Sequence, residues 1–219
     1  MLSASKVMAD VVLFSLLLVG TNLTADGIAA QVRFEVGPYI GIYAPTASFS
    51  SAPFPGPFML PPATSRQGTA VVVGAQGTLW LDSRLGLSIQ WGTASSAVRT
   101  RAEFGVQEAE QPARVSAGAV QLLVPLQVPS LQGRVHVGAG VGLVRRSGDF
   151  YEAYERPRNV TGVLGLGSDF ALSRLAHLTL GFQSYLYSLQ LRDSEGTTFD
   201  SGFQTDLLAR VGFMLLLGT

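Results

Sequence analysis

The sequence predicts an all-β fold: an eight-stranded antiparallel up-and-down transmembrane β-barrel, preceded by a cleavable signal peptide. Three observations predict it. Apolar residues alternate with small or polar ones at a period of two along most of the chain, the pattern of strands with one apolar face. Hydrophobic residues make up 47% of the 219, yet they are spread over many alternating segments with no run long enough for a membrane helix. Charged residues are only 14%, against about 25% in an ordinary soluble domain.

Residues 1–30 read as the signal peptide and 31–219 as one barrel domain. Lys6 precedes the apolar run Val11 to Val19, which has the length of a signal-peptide core and is too short to span as a helix. Ala29 and Ala30 supply small residues at a cleavage point, which is expected after Ala30.

The first strand is expected from Arg33 to Tyr43, with Phe34, Val36, Ile40 and Ile42 on one face and Glu35, Gly37, Tyr39 and Gly41 on the other. A Pro- and Ser-rich loop follows, Ala44 to Gly68, carrying Phe49, Phe54 and Phe58. Strands at Thr69 to Leu81 and Leu85 to Ala97 flank a tight Asp82-Ser83-Arg84 turn. Val98 to Arg114 reads as a charged loop. The clearest hairpin comes next. From Gly118 to Val128 the even positions are apolar while Ala119, Gln121, Pro125 and Gln127 alternate with them. After the turn Pro129 to Gly133, Val135, Val137, Ala139, Val141 and Leu143 alternate with His136, Gly138, Gly140 and Gly142. Both halves exceed the roughly 9–11 residues that a tilted strand needs to cross a bilayer. Arg145 to Arg158 is a second charged loop, then strands at Asn159 to Leu172 and His177 to Leu189 enclose a short turn. A polar loop, Gln190 to Gly202, leads to the last strand, Phe203 to Leu217.

Long and short connections alternate. With an even number of antiparallel strands, all long loops fall at one end and all short turns at the other, the outer-membrane arrangement. A closed barrel is also the only sheet that hides every backbone hydrogen-bonding group from lipid.

Val124-Pro125-Leu126-Gln127, a turn, and Val137-Gly138-Ala139-Gly140-Val141-Gly142-Leu143 are similar to the hairpin "IPL…YVGAGVGL" of small outer-membrane β-barrel proteins. Gly165-Leu166-Gly167-Ser168-Asp169-Phe170 with Leu178-Thr179-Leu180 looks like the next hairpin. The resemblance is to the OmpA/OmpW-like superfamily and covers most of the mature chain. It implies an eight-stranded barrel in the bacterial outer membrane, porin-like in class, with no activity attached. One departure is the ending Leu216-Leu217-Gly218-Thr219, where such barrels usually end on an aromatic residue; Phe213 is the nearest.

Composition removes several functions. The formal net charge is zero, without the basic face that nucleic acid requires. Cysteine is absent, which removes thiolate metal sites and disulfides. No cofactor is expected, and Gly138-x-Gly140-x-Gly142 lies on a strand, not in the turn opening a helix that a phosphate loop needs. The glycines are expected to face a narrow lumen. Lipid A-modifying barrels use a histidine with serine or a carboxylate, but His136 and His177 both follow short turns, at the end away from the outer leaflet. No catalytic residue is therefore assigned.

The inward faces are expected to bring together a polar network of Glu35, Gln76, Gln90, Gln121, Asp169, Gln183 and Arg210, with Tyr185, Arg134 and Asp206 beside it. Eight strands enclose a bore just wide enough for side chains to fill, so buried charges there must pair. The loop aromatics Phe49, Phe54, Phe58, Phe150, Tyr151 and Tyr154 fit either a surface recognition patch or a packed rim. The expected partners are outer-membrane lipid and lipopolysaccharide, with periplasmic chaperones and the barrel-assembly machinery during biogenesis, and a monomeric state. The functional expectation is a non-enzymatic structural or surface-interacting protein acting through its extracellular loops. The alternatives are a narrow OmpW-like channel for small hydrophobic molecules and, less favoured, a lipid A-modifying enzyme.

Overall fold

A computed structural model describes residues 33–46, 48–50, 63–81, 83–102, 108–128, 133–152, 154–155, 158–193 and 198–217. The proposed signal peptide lies outside them.

Eight long strands form the wall: β1 (Arg33–Pro45), β4 (Ala70–Trp80), β5 (Gly86–Ala102), β6 (Glu108–Leu126), β7 (Arg134–Ser147), β9 (Arg158–Ala171), β10 (Ala176–Asp193) and β11 (Thr198–Leu217). Each pairs antiparallel with its sequence neighbour in the wall, and β1 pairs with β11 to close the ring. Closure leaves the wall without a free edge, which is the condition for crossing lipid as a sheet. Two short strands, β2 (Ser48–Ser50) and β3 (Ala63–Gln67), add to the long-connection end of β5. A single helical turn, α1 (Asp149–Glu152), and β8 (Tyr154–Glu155) follow β7. The short turns are closed locally, by Leu81 N–H to Leu85 O at 2.9 Å and Leu172 N–H to Ala176 O at 3.0 Å.

The period of two in the sequence becomes two faces. Outward positions carry apolar side chains exposed far beyond what a soluble surface presents: Ile40 56%, Val73 54%, Ile89 61% and Leu166 53%. Inward positions are buried, and glycines there make room for large neighbours. A Cβ on Gly167 would collide with the His136 ring, and one on Gly74 or Gly92 with the Tyr39 ring. Pro125 lies past Leu123, the last residue of β6 paired to β5, where only β7 flanks the strand. That is an edge position of the kind proline tolerates.

Two expected loops are mostly strand. β5 runs to Ala102 and β6 starts at Glu108, so the charged segment 98–114 is largely a ladder. Likewise β10 and β11 take up most of 190–202. In the first of these, polar outward residues replace the apolar alternation, and Arg99 lies opposite Glu110 at 3.4 Å. The strands therefore run on past their apolar outward stretches.

Candidate functional site

The lumen gathers polar side chains in three tiers. At the short-turn end, Glu35 on β1 is 2% exposed. Arg33 Nε approaches its Oε1 at 2.7 Å, and His177 Nε2 on β10 lies 3.2 Å from its Oε2 and 3.1 Å from Arg33 Nη2. Beside this trio His136 Nδ1 stands 3.6 Å from Asp169 Oδ2. The Arg134 guanidinium lies 4.5 Å over the Trp80 ring, whose neighbour is His136 edge-on.

In the middle tier the amides of Gln90 and Gln183 bond each other reciprocally across the bore. Gln183 also donates to Gln121 Oε1 at 2.6 Å, and Gln90 to the Tyr185 hydroxyl at 2.9 Å. Gln76 donates to Met214 Sδ at 3.0 Å. Arg210 lies over the Tyr39 ring at 5.2 Å. Between this tier and the one below remains a cavity of about 20 Å³, lined by Glu35, Gln76, Gln121, His136, Asp169 and Arg210 among others. That is room for about one water molecule.

The third tier, towards the long connections, rests on Arg146 and Asp206, both fully buried. Arg146 Nη2 donates to Asp206 Oδ2 at 2.8 Å, and its Nε to Gln67 Oε1 at 3.1 Å. The hydroxyls of Tyr43 and Tyr187 donate to the same Asp206 oxygen. Tyr151 of α1 closes over the top by donating to Gln67 Oε1 at 2.8 Å. Gly148, at φ +104°, turns the chain from β7 into α1 in a conformation that favours glycine. Buried apolar side chains share the long-connection half of the bore with this tier, among them Val72, Val98, Val115, Val144, Leu189 and Leu208.

The fold thus gathers all seven residues of the expected network in the lower and middle tiers, with Asp206 higher up. It also corrects one sequence reading and decides another that was open. Arg146, placed in a charged loop, is a lumen residue. Phe150 and Tyr151 are buried, so they form no surface patch. Phe54, Phe58 and the side chains of Phe49 and Tyr154 lie outside the described residues. Gln67 and Arg146 were the residues missed. Arg146 had a signal: continuing the inward parity of His136, Gly138, Gly140, Gly142 and Val144 by one step reaches it. Gln67 had none, because its place depends on the β3–β5 pairing.

Among the described residues neither histidine has a hydroxyl within hydrogen-bond distance; their polar neighbours are Asp169 for His136, and Arg33 and Glu35 for His177. Such contacts hold the imidazoles in place.

No protein-family model matches the sequence, and no curated protein matches it either. Solved structures do resemble the fold. OprG from Pseudomonas aeruginosa superposes with a TM-score of 0.65 at 10% identity, over 87% of this chain and 98% of that one. AlkL, determined in DMPC lipid bilayers, gives 0.65 at 11% identity, over 90% and 96%. The neisserial surface protein NspA gives 0.50 at 10% identity, over 83% and 96%. The OmpA/OmpW-like fold implied by the sequence resemblance is the fold observed: an eight-stranded barrel of the bacterial outer-membrane type.

Proposed function

We propose that this barrel is a non-enzymatic integral protein of the bacterial outer membrane, a structural or surface-interacting element that acts through its extracellular connections. The observation that carries the reading is the filled lumen. Gln90 with Gln183, and above them Arg146 with Asp206, bond across the bore, Glu35 holds Arg33 and His177 below, and the cavity left between the lower tiers holds about one water. A bore so filled is a brace for the wall, and it leaves the outer rim as the surface available to partners. Outer-leaflet lipid and lipopolysaccharide would surround it, and chaperones and the assembly machinery would deliver it as a monomer.

One observation favours a second reading, a narrow channel for small apolar molecules: the buried apolar residues Val72, Val98, Val115, Val144, Leu189 and Leu208 in the long-connection half of the bore. Against it stand Arg146 and Asp206 among those residues and the glutamine lattice below them. Uptake by proteoliposomes of a small apolar dye separates the two. The structural reading expects the rate of protein-free liposomes. Uptake raised by the protein, and reduced when Val115 and Leu208 are enlarged, would favour the channel.

A further inference from the structure

On the outward face, just above the apolar belt, the barrel holds three arginines that no carboxylate among the described residues answers. Arg114 on β6, Arg145 on β7 and Arg158 on β9 are all exposed. Arg145 lies directly opposite Arg158 in the β7–β9 ladder, and Arg114 lies opposite Ser147, the next outward residue after Arg145. Like charges facing each other across strands are destabilising. Among the described residues none of the three has an ion-pair partner, whereas on the adjoining β5–β6 ladder Arg99 is matched by Glu110. The three line a single groove of about 390 Å³ together with Ser116, Trp91 and Leu143. Its lower lip is apolar: Trp91 is 49% exposed and lies across Gly118, where a Cβ would strike the indole.

We propose that Arg114, Arg145 and Arg158 bind the phosphate of an outer-leaflet lipid of lipid A type, whose acyl chain runs down over Trp91 and Leu143. The proposal rests on the outer-membrane reading above and adds a defined lipid site to it. Guanidinium forks match phosphate oxygens bidentately, so a phosphate dianion would relieve the repulsion that the register builds in. The same face continues downward as Val141 and Val160, exposed and apolar, which fits a ligand with a charged head and a hydrocarbon tail. A free inorganic phosphate would make no use of that floor.

The test is lipid retention by purified full-length barrel in detergent, read by native mass spectrometry with bis-phosphorylated lipid A, its dephosphorylated form and inorganic phosphate as probes. Wild type is expected to retain lipid A and not the dephosphorylated lipid. Arg145→Gln or Arg158→Gln should each weaken retention about tenfold, the loss of one charge-assisted contact, and the triple glutamine variant should abolish it. Arg145→Lys, which keeps the charge, should lose less than Arg145→Gln, and Arg174→Gln at the opposite end should change nothing. Variant barrels that fractionate with the outer membrane, yet hold lipid A as wild type does, overturn the site alone. So does equal binding of the dephosphorylated lipid or of inorganic phosphate. Wild-type protein recovered from the soluble fraction would overturn the outer-membrane reading and the site with it.

Discussion

Removing the Asp206 carboxylate should destabilise the barrel by about 3–5 kcal/mol, the cost of leaving a buried charge without its partner. Its Oδ2 accepts from Arg146, Tyr43 and Tyr187, all buried. Asp206→Ala strands the arginine, which keeps Gln67 and the Tyr187 hydroxyl but cannot shed its charge. It also leaves the Tyr43 hydroxyl without its acceptor, a further about 1–3 kcal/mol. Arg146→Met should be milder. The aspartate keeps both tyrosine donors and can bind a proton, and Gln67 keeps Tyr151. The double variant Arg146→Met/Asp206→Ala removes both charges, so it should cost less than the sum of the singles by about 2 kcal/mol or more. The assay is reversible urea unfolding in lipid vesicles, followed by tryptophan fluorescence. Single variants costing less than about 1 kcal/mol, or a double that is simply their sum, would refute the reasoning.

Three further outcomes are expected. Val141→Arg, on the lipid face of β7 near mid-membrane, should cost about 2–4 kcal/mol in vesicle folding, whereas Ser147→Arg, on the same face above the belt, should cost about 0–1; the reverse order would put the apolar belt at the wrong depth on the wall. Gly167→Ala, which pushes a methyl into the His136 ring, should cost about 1–3 kcal/mol in the same assay, and a neutral result would mean the lower tier is loose. A cysteine at Glu152 should react with an impermeant maleimide on intact cells and one at Ser173 should not, since they lie at opposite ends of the barrel; labelling only at Ser173 would invert the orientation.

The wall was legible because lipid outside and a tight bore inside impose opposite demands on alternate residues. Ile40, Ile89 and Val141 face out, and Gln90, Gln121 and Gln183 face in, as their parity indicates. Legibility stopped where the strands leave the membrane. There the outer face turns polar, so the segments around Arg99 and Glu110 look like loop although they are ladder. The upper tier was hidden for the same reason. Arg146 sits beside Arg145 in a charged run, one fully buried and the other exposed, and only strand parity carried past Val144 separates them. Tyr151 depends on a turn at Gly148 and a one-turn helix, neither of which has a periodic signature.

The central claim is that the bore is closed by its own side chains. Planar-bilayer recording of the purified barrel tests it most directly. The account predicts no stable conductance steps from wild type, and none after the long connections are shortened. Stable steps from the wild-type barrel, persisting when those connections are trimmed, would contradict it.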